Sequence, residues 1–391
     1  MSHTIFSRVI VIVMDSVGIG EMPDAPAYQD QGSNTVGNIA RQVPLQVPTL
    51  RRLGLDRLVD LGGPRVAAPA GAYGRMAERS PGKDSVTGHW EMMGIVLDRA
   101  FPTFPTGFPA EVIAEYERRI GRGTLGNVVA SGTAIIDALG PEHVRTGKPI
   151  VYTSADSVFQ VAAHEDVVPI GELYRACEIA FELVGRGMGV GRVIARPFVG
   201  APGRFTRTAN RHDYALEPSS TTLLDLLAAQ GVPVTSIGKI TDLFAAKNTG
   251  RAEKTASDED GMDRVERALA ETPAGFVFAN LVDFDTQYGH RNDTPGFAAN
   301  LERFGARLAR VLPRLGETDL LIVTADHGND PTTPSTDHSR EYVPVLAAGP
   351  RVRAGADVGT RATFADLGQT LATVFGVGPL PHGTSFLGDI L

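Results

Sequence analysis

The sequence predicts an α/β protein whose core is a doubly wound, mostly parallel sheet carrying an inserted, smaller α+β cap domain. Apolar runs at residues 9–14, 276–282 and 319–324 have the continuous hydrophobic character of strands that are covered on both faces. Segments with helical periodicity alternate with these runs, and such alternation is typical of parallel sheets with right-handed crossovers. A Pro- and Phe-rich connector at residues 101–109 interrupts the alternation, which resumes after residue 217.

The length, composition and charge of the chain set the scale of this fold. With 391 residues, of which 42% are hydrophobic and 21% charged, the chain is able to bury a large core and a second domain. The net charge of −8 offers no basic surface for a nucleic-acid backbone. A single cysteine, Cys177, excludes an intrachain disulfide framework, and no apolar run approaches the roughly 20 residues of a membrane helix. We therefore expect a cytoplasmic protein without nucleic-acid or membrane partners, and no protein partner is implied.

The first part of the core contains an apolar strand and, further along the chain, a polar segment with a candidate nucleophile. Residues 9–14 predict the first strand, residues 48–58 have helical periodicity, and residues 72–77 predict another strand. A helix-compatible segment then follows Thr87, whose hydroxyl is placed to cap its first turn. Because the free N–H groups of a helix start favour an anion, we interpret Thr87 either as a plain cap or as a nucleophile beside a phosphate site.

The remaining elements divide between the inserted domain and the rest of the core. Residues 101–217 predict the inserted domain, and residues 1–100 with 218–391 predict the core. In the inserted domain we predict helices at 111–120 and 171–187, a strand–turn–strand at 149–160 and a strand at 192–199. In the core we predict helices at 220–230, 259–271, 296–312 and 364–376, and strands at 233–238, 275–282, 319–324 and 342–348.

Carboxylate and imidazole side chains follow the predicted core strands. They are Asp15, Asp285, His290, Asp326, His327 and His338. Because carboxyl ends of parallel strands meet at the edge where α/β proteins bind ligands, we expect these side chains to lie close together. Three carboxylates and three imidazoles suffice for two divalent ions, a pair that stabilises both oxygens of a phosphoryl transfer. Thr87 is then the best candidate nucleophile, and Lys83 lies in the same loop.

The motifs around these residues resemble those of the alkaline phosphatase superfamily, and within it those of the bacterial phosphopentomutases. The resemblance covers nearly the whole chain and rests on residues 13–20, 83–91, 152–160, 194–198, 210–214, 283–290 and 324–345. It implies an alkaline-phosphatase-like core with an inserted cap and two Mn²⁺ ions, which Thr87 would bridge while it carries the phosphate. By the same resemblance, the first ion would be held by Asp15, Asp326 and His327, and the second by Asp285, His290 and His338.

The resemblance also implies an activity. The enzyme would be an isomerase that interconverts ribose 1-phosphate and 2-deoxyribose 1-phosphate with the 5-phosphates through a phosphothreonine and a sugar bisphosphate. A sugar 1,6-bisphosphate would serve as the activator. Two alternatives stay open: a metal-dependent phosphatase or phosphodiesterase on the same core, and a non-catalytic sugar-phosphate-binding protein.

Further polar residues are candidates for binding the substrate. Ser154 and Asp156 would hydrogen-bond sugar hydroxyls, since both lie in the predicted turn of the inserted domain. The positively charged candidates for binding the non-transferring phosphate are Arg196, Arg211 and Lys239. Arg207 competes with Arg211 for the same role. Lys83 is a further candidate for binding the substrate.

Overall fold

The computed structural model describes residues 5–154 and 156–391, and the chain divides into two compact units. The first unit contains the described residues up to Arg99 together with Pro218–Leu391, and the second contains Ala100–Glu217. The second unit therefore begins in the Pro- and Phe-rich connector. In the part of the chain that the structure describes, no helix combines the length and the apolar character needed to cross a membrane.

The first part of the core unit contains strands β1 and β2 and helices α1 to α4. They are β1 (Arg8–Met14), α1 (Thr35–Gln42), α2 (Pro48–Leu53), α3 (Leu55–Leu58), β2 (Ala72–Met76) and α4 (Ser85–Met92). The helical periodicity predicted at 48–58 is confirmed, although Gly54 divides the segment into α2 and α3. Gly54 has a φ of 107°, and a Cβ at this position would lie 2.7 Å from the Tyr73 side chain.

The second unit is a mixed sheet with three α-helices among its described residues, the last of which continues as a π-helix, Phe181–Arg186. Its elements are α5 (Ala110–Ile120), β3 (Leu125–Val129), α6 (Gly132–Thr146), β4 (Ile150–Thr153), β5 (Val158–His164), α7 (Ile170–Ala180), β6 (Arg192–Val199), β7 (Thr206–Arg207) and β8 (His212–Ala215). The strand order is β3-β4-β5-β6-β7, and β8 also pairs with β6. β3 and α6 were not predicted from the sequence, since Gly126 interrupts one and Pro141 lies inside the other.

The remainder of the chain completes the core unit. Its elements are α8 (Leu223–Ala229), β9 (Val234–Ile237), α9 (Ile240–Leu243), β10 (Arg251–Glu253), α10 (Asp258–Glu271), β11 (Gly275–Leu281), α11 (Thr294–Val311), β12 (Asp319–Thr324), β13 (Val343–Ala348), β14 (Asp357–Arg361), α12 (Ala365–Phe375) and α13 (Leu387–Ile390). A π-helical turn, Phe284–Tyr288, follows β11. The short elements α9, β10, β14 and α13 were not predicted.

The core sheet confirms the predicted α/β class with a mostly parallel sheet. Its strand order is β10-β9-β11-β1-β12-β13-β2-β14, and β13 is antiparallel to both of its neighbours. β1 lies between β11 and β12 and is parallel to both, with Met14 opposite Leu281 and Val13 opposite Thr324. All residues of these three strands are buried. This register brings the residues that follow β1, β11 and β12 to one edge of the sheet.

The start of α10 is joined to the end of β11 by two aspartates, the buried Asp258 and the half-buried Asp283. The backbone N–H groups of Asp258 and Asp283 each donate to the carboxylate of the other residue, at 2.8 Å. Asn300 Nδ2 also donates to Asp258 Oδ2 at 2.7 Å. Burial raises the pKa of Asp258 to about 7, and the nearby Asp283 carboxylate adds to the rise. Asp283 therefore serves as a structural partner of α10.

This raised pKa predicts a pH dependence of the free energy of unfolding. The folded protein keeps the Asp258 proton up to about pH 7, whereas the unfolded chain releases it near the ordinary value of about 4. The stabilisation that this proton gives the folded state is therefore complete below the pKa of Asp258 in the unfolded chain. It is lost as the pH rises through the pKa of Asp258 in the folded protein. In urea titrations without metal, we expect Asp258→Asn to gain on the order of 2–4 kcal/mol relative to wild type between pH 4.5 and 7.5.

The control for this experiment is Asp98→Asn, since Asp98 is exposed. Its free energy of unfolding should follow that of the wild type at every pH. If Asp258→Asn and the wild type had the same pH dependence, the buried carboxyl would not carry a proton in the folded state.

Candidate metal centre and nucleophile

Carboxylates and imidazoles gather in two clusters in the first unit, beyond the carboxyl ends of β1, β11 and β12. The first cluster consists of Asp15, Asp326 and His327, and the second consists of Asp285, His290 and His338. Within each cluster, one ligand atom from every residue lies within 4.8 Å of the others. The structure thus brings together the six predicted ligands, in the two groups of three that the family resemblance implies.

The first cluster is buried and has two carboxylate oxygens without hydrogen-bond partners among the described residues. These atoms are Asp15 Oδ1 and Asp326 Oδ2, and both residues are 0% exposed. His327 Nε2 lies 3.5 Å from Asp15 Oδ1 and 3.4 Å from Asp326 Oδ2. Burial raises the pKa of Asp15, and the adjacent Asp326 carboxylate adds to the rise. Because buried carboxylate oxygens otherwise find a partner, this cluster fits a divalent cation.

The second cluster presents two imidazoles to one carboxylate. His290 Nδ1 lies 2.7 Å from the carbonyl oxygen of Thr336, and His338 Nδ1 lies 2.9 Å from that of Lys83. Since a carbonyl only accepts, both Nδ1 atoms must donate, which assigns the tautomer. Each Nε2 lies 3.3 Å from an oxygen of Asp285.

This arrangement suits a metal ion as well as it suits a proton. With Nδ1 protonated, a neutral imidazole points an Nε2 lone pair at the carboxylate, and either a second proton or a cation must separate them. Burial alone would raise the pKa of Asp285, but His338 and His290 hold it well below its ordinary value. Burial opposes protonation of His290, yet Asp285 raises the pKa of this histidine. The donor set of both clusters, carboxylate oxygen with imidazole nitrogen, is one that Mn²⁺, Zn²⁺ and Fe²⁺ accept.

The two clusters adjoin each other, and Ser16 connects them. The rings of His327 and His338 are stacked with centroids 3.9 Å apart. Ser16 Oγ donates to Asp285 Oδ1 at 2.8 Å, and Ser16 N donates to Asp326 Oδ1 at 3.1 Å. Ser16 has a φ of 77°, a conformation that is uncommon outside glycine and is found at functional sites. The sequence offered no signal for this role beyond the position after Asp15.

Helix α4 carries Thr87 and contacts the first cluster, and the loop before the helix contacts the second. Ser85 Oγ lies 3.2 Å from His327 Nε2. His89 Nδ1 lies 3.2 Å from Asp326 Oδ2, and the Lys83 carbonyl accepts the hydrogen bond from His338 described above. The segment around Thr87 is therefore held against the candidate metal centre. The prediction that Thr87 caps this helix is wrong, because the capping residue is Asp84 and Thr87 follows three positions later.

His89 and Asn280 form a buried link between the two aspartates of the first cluster. His89 Nδ1 donates to the Ser85 carbonyl at 2.8 Å, which leaves Nε2 to accept from Asn280 Nδ2 at 3.3 Å. Asn280 Nδ2 also donates to Asp15 Oδ2 at 3.1 Å. Neither residue was predicted. The position of Asn280 inside the apolar run 276–282 was a signal for it, because a buried amide needs hydrogen-bond partners.

The two candidate lysines of the first unit have acidic partners. Lys239 Nζ donates to Asp15 Oδ2 at 3.1 Å and lies 3.9 Å from Asp285 Oδ2, so this ammonium group lies beside both clusters. Lys83 Nζ pairs with Asp30 at 3.1 Å and with Asp337 at 3.6 Å.

The candidate arginines of the second unit lie near one another. Burial lowers the pKa of Arg196 to about 10, and Arg211 and Arg207 contribute through charge repulsion. Arg211 forms a two-pronged pair with Asp213, at 2.7 and 2.6 Å. Arg207 Nη2 donates to Thr133 Oγ1 at 2.8 Å. The competition between Arg207 and Arg211 for a phosphate therefore stays open.

The candidate sugar-binding residues lie in the turn between β4 and β5. Ser154 and Asp156 are both half-buried, and Asp156 lies 3.7 Å from Arg192. Residue 155, between them, lies outside the described residues.

Known proteins are similar to this chain in sequence and in fold. A family model described as the metalloenzyme superfamily matches residues 7–379. The phosphopentomutase of Caldanaerobacter subterraneus subsp. tengcongensis is 52% identical over 98% of each chain, and that of Thermotoga maritima is 55% identical over 97% of this chain and 98% of its own. A solved structure of Leishmania mexicana phosphoglycerate mutase covers 98% of both chains with a TM-score of 0.51 at 14% identity, which shows the fold alone.

The fold, the two clusters and the family model define a member of the metalloenzyme superfamily with an alkaline-phosphatase-like core. Within this superfamily, the chain belongs to the phosphopentomutase family. It is accordingly an enzyme of the isomerase class, an intramolecular phosphotransferase.

Proposed function

We propose that this enzyme interconverts ribose 1-phosphate and 2-deoxyribose 1-phosphate with the corresponding 5-phosphates in the cytoplasm. The observation that carries the proposal is the contact of the Thr87 segment with both candidate metal clusters, through Ser85 and His89 on one side and the Lys83 carbonyl on the other. A nucleophile on this segment would lie close to the residues that hold the metal ions of a phosphoryl transfer. The names of the relatives supply the substrate class.

The residues of the two clusters would hold two Mn²⁺ ions, one in each cluster. When bound, a pair of divalent ions neutralises charge on the transferring phosphoryl group and makes a nearby hydroxyl more nucleophilic. A sugar 1,6-bisphosphate primes the enzyme. Thr87 Oγ1 forms a bond to phosphorus as the bond from that phosphorus to the sugar oxygen breaks, and the departing sugar oxygen gains a proton to replace the one that the Thr87 hydroxyl loses. The phosphothreonine then passes its group to the sugar monophosphate, which becomes a bisphosphate while the threonine hydroxyl is restored. The other phosphate of this bisphosphate returns to Thr87, and the isomeric sugar monophosphate leaves.

The remaining candidates would bind the parts of the substrate that do not react. In the second unit, the proposed cap domain, we assign the non-transferring phosphate to Arg196 with either Arg207 or Arg211. Two N–H groups of one guanidinium match two oxygens of a phosphate. A bound anion would also relieve the mutual repulsion of these arginines. The Asp156 carboxylate would accept hydrogen bonds from the sugar hydroxyls, and the Ser154 hydroxyl would donate to them or accept from them.

The lysines of the first unit complete the proposed phosphate-binding set. Lys239 would contact a phosphate beside the two clusters, where its ammonium group already lies. Lys83 would contribute positive charge to the loop before Thr87.

The experiment that tests this function follows phosphorus NMR signals of the purified enzyme with Mn²⁺ and ribose 1-phosphate. We expect ribose 5-phosphate to appear while free phosphate stays at the level of a sample treated with EDTA. A metal-dependent phosphatase would instead release free phosphate at the rate at which ribose 1-phosphate disappears. That second result would overturn the mutase and favour the hydrolase on the same core. The non-catalytic alternative predicts that neither product forms.

A further inference from the structure

The carboxylate of Asp84 makes two different kinds of contact at the start of α4. Its Oδ1 accepts hydrogen bonds from the backbone N–H groups of Val86 and Thr87, at 3.0 and 3.1 Å, which is the normal function of a helix cap. Its Oδ2 accepts a hydrogen bond from Thr87 Oγ1 at 2.6 Å. The capping residue is therefore bonded directly to the hydroxyl that we propose as the nucleophile.

The second contact is not needed for the helix. Asparagine and serine cap helices about as well as aspartate does, since one side-chain oxygen is sufficient. A hydroxyl that donates to a carboxylate makes a charge-assisted bond, which is shorter and stronger than a bond between neutral groups. The 2.6 Å distance is of this kind. Helix capping therefore does not account for the hydrogen bond from Thr87 Oγ1 to Asp84 Oδ2.

The hydrogen bond determines how the Thr87 hydroxyl is oriented. Thr87 is buried and β-branched, so its χ1 angle has few alternatives. Its single hydroxyl proton points at Asp84, and the lone pairs of Oγ1 must therefore point elsewhere. Gly82 packs against this pair without a side chain, and a Cβ at residue 82 would lie 3.3 Å from Thr87 Oγ1 and 3.4 Å from Asp84 Oδ2.

We propose that Asp84 orients the nucleophile, holding the Thr87 hydroxyl so that a lone pair of Oγ1 faces the incoming phosphorus. This inference rests on the proposed function, because it assumes that Thr87 accepts the phosphoryl group. Asp84 belongs to neither of the clusters that hold the candidate metal ligands. Its effect is therefore separate from metal binding.

The test is Asp84→Asn, which keeps a capping oxygen and exchanges the other oxygen for an N–H donor. The enzyme loaded with Mn²⁺ is mixed with glucose 1,6-bisphosphate, and phosphate on Thr87 is followed by intact-protein mass and peptide mapping. We expect phosphothreonine to form about 10- to 100-fold more slowly than in the wild type, the effect of losing a hydrogen bond to a charged group. The affinity for Mn²⁺ should be unchanged, and the variant should remain folded at the temperature of the assay.

Asp293→Asn is the matched control. Asp293 caps α11 through a hydrogen bond from Gly296 N at 2.9 Å and is exposed, so this variant reports what the same exchange does at an ordinary cap. Asp84→Ser provides a second test variant, since serine also caps the helix but has no carboxylate for Thr87. It should show the same slow phosphorylation.

The possible results separate the inference from the proposed function. If the wild type acquires no phosphate on Thr87, the proposed function itself fails. If the wild type is phosphorylated and both Asp84 variants react equally fast, only the role of Asp84 is overturned. A loss of Mn²⁺ affinity that parallels the loss of rate would also overturn it, because Asp84 would then act through the metal site.

Discussion

Thr87→Val is expected to abolish the interconversion of ribose 1-phosphate and ribose 5-phosphate while the protein stays folded. Valine has nearly the shape of threonine and lacks only the hydroxyl, so the phosphoryl group has no acceptor on the enzyme. Removal of a covalent nucleophile should lower kcat/KM by at least about 10⁴-fold. A coupled assay of ribose 5-phosphate measures the activity, and peptide mapping after treatment with a sugar bisphosphate should find no phosphothreonine.

The controls distinguish the hydroxyl from the rest of the side chain. Thr87→Ser keeps a hydroxyl beside Asp84 and should retain measurable activity. The loss of the charge-assisted hydrogen bond from Thr87 Oγ1 to Asp84 should cost Thr87→Val about 1.5–3 kcal/mol in the free energy of unfolding. Full mutase activity in Thr87→Val would show that the nucleophile is another group.

Asp326→Ala is expected to lose Mn²⁺ from the first cluster, and with it the mutase activity, while keeping most of the fold. Without metal, Asp326 and Asp15 are two buried carboxylates, and Asp326 contributes to the raised pKa of Asp15. Removing Asp326 relieves this repulsion, so the melting temperature of the variant in EDTA should stay close to that of the wild type. Mn²⁺ at about 100 times its Kd should stabilise the wild type by about 2.7 kcal/mol at each site, and the variant by less.

The bound metal is counted by elemental analysis after gel filtration, and melting curves are recorded with EDTA and with Mn²⁺. Asp98→Ala, at an exposed position, should bind metal and melt as the wild type does. Global unfolding of Asp326→Ala in both conditions would mean that the residue is mainly structural. An unchanged metal content would remove Asp326 from the set of ligands.

The central strands were predictable because their signal is local. β1, β11 and β12 are continuous apolar runs, and β12 has the predicted bounds, 319–324. A strand covered on both faces must be apolar throughout, and this pattern needs no knowledge of the neighbours. The short strands β10 and β14 have no such pattern, because they pair at the edges of the sheet and much of each remains exposed.

The mistaken cap shows where local chemistry is insufficient. Asp84 and Thr87 are both residue types that begin helices, and they lie three positions apart. The backbone around Asp84 is extended and its oxygen reaches the N–H groups of α4, whereas Thr87 already has helical neighbours. The sequence alone does not decide between them, because the choice depends on where the preceding loop is anchored.

The sequence by itself determined the chemical groups of this protein and their position at strand ends. Residue type and apolar periodicity are local properties, and they already place Asp15, Asp285 and Asp326 after buried strands. Only the tertiary structure decided which side chains approach one another, because each cluster joins segments that are distant along the chain. It alone revealed Ser16 between the clusters, the link through His89 and Asn280, and the bond from Thr87 to Asp84. These contacts depend on distances of a few ångströms between packed elements, which residue order does not specify.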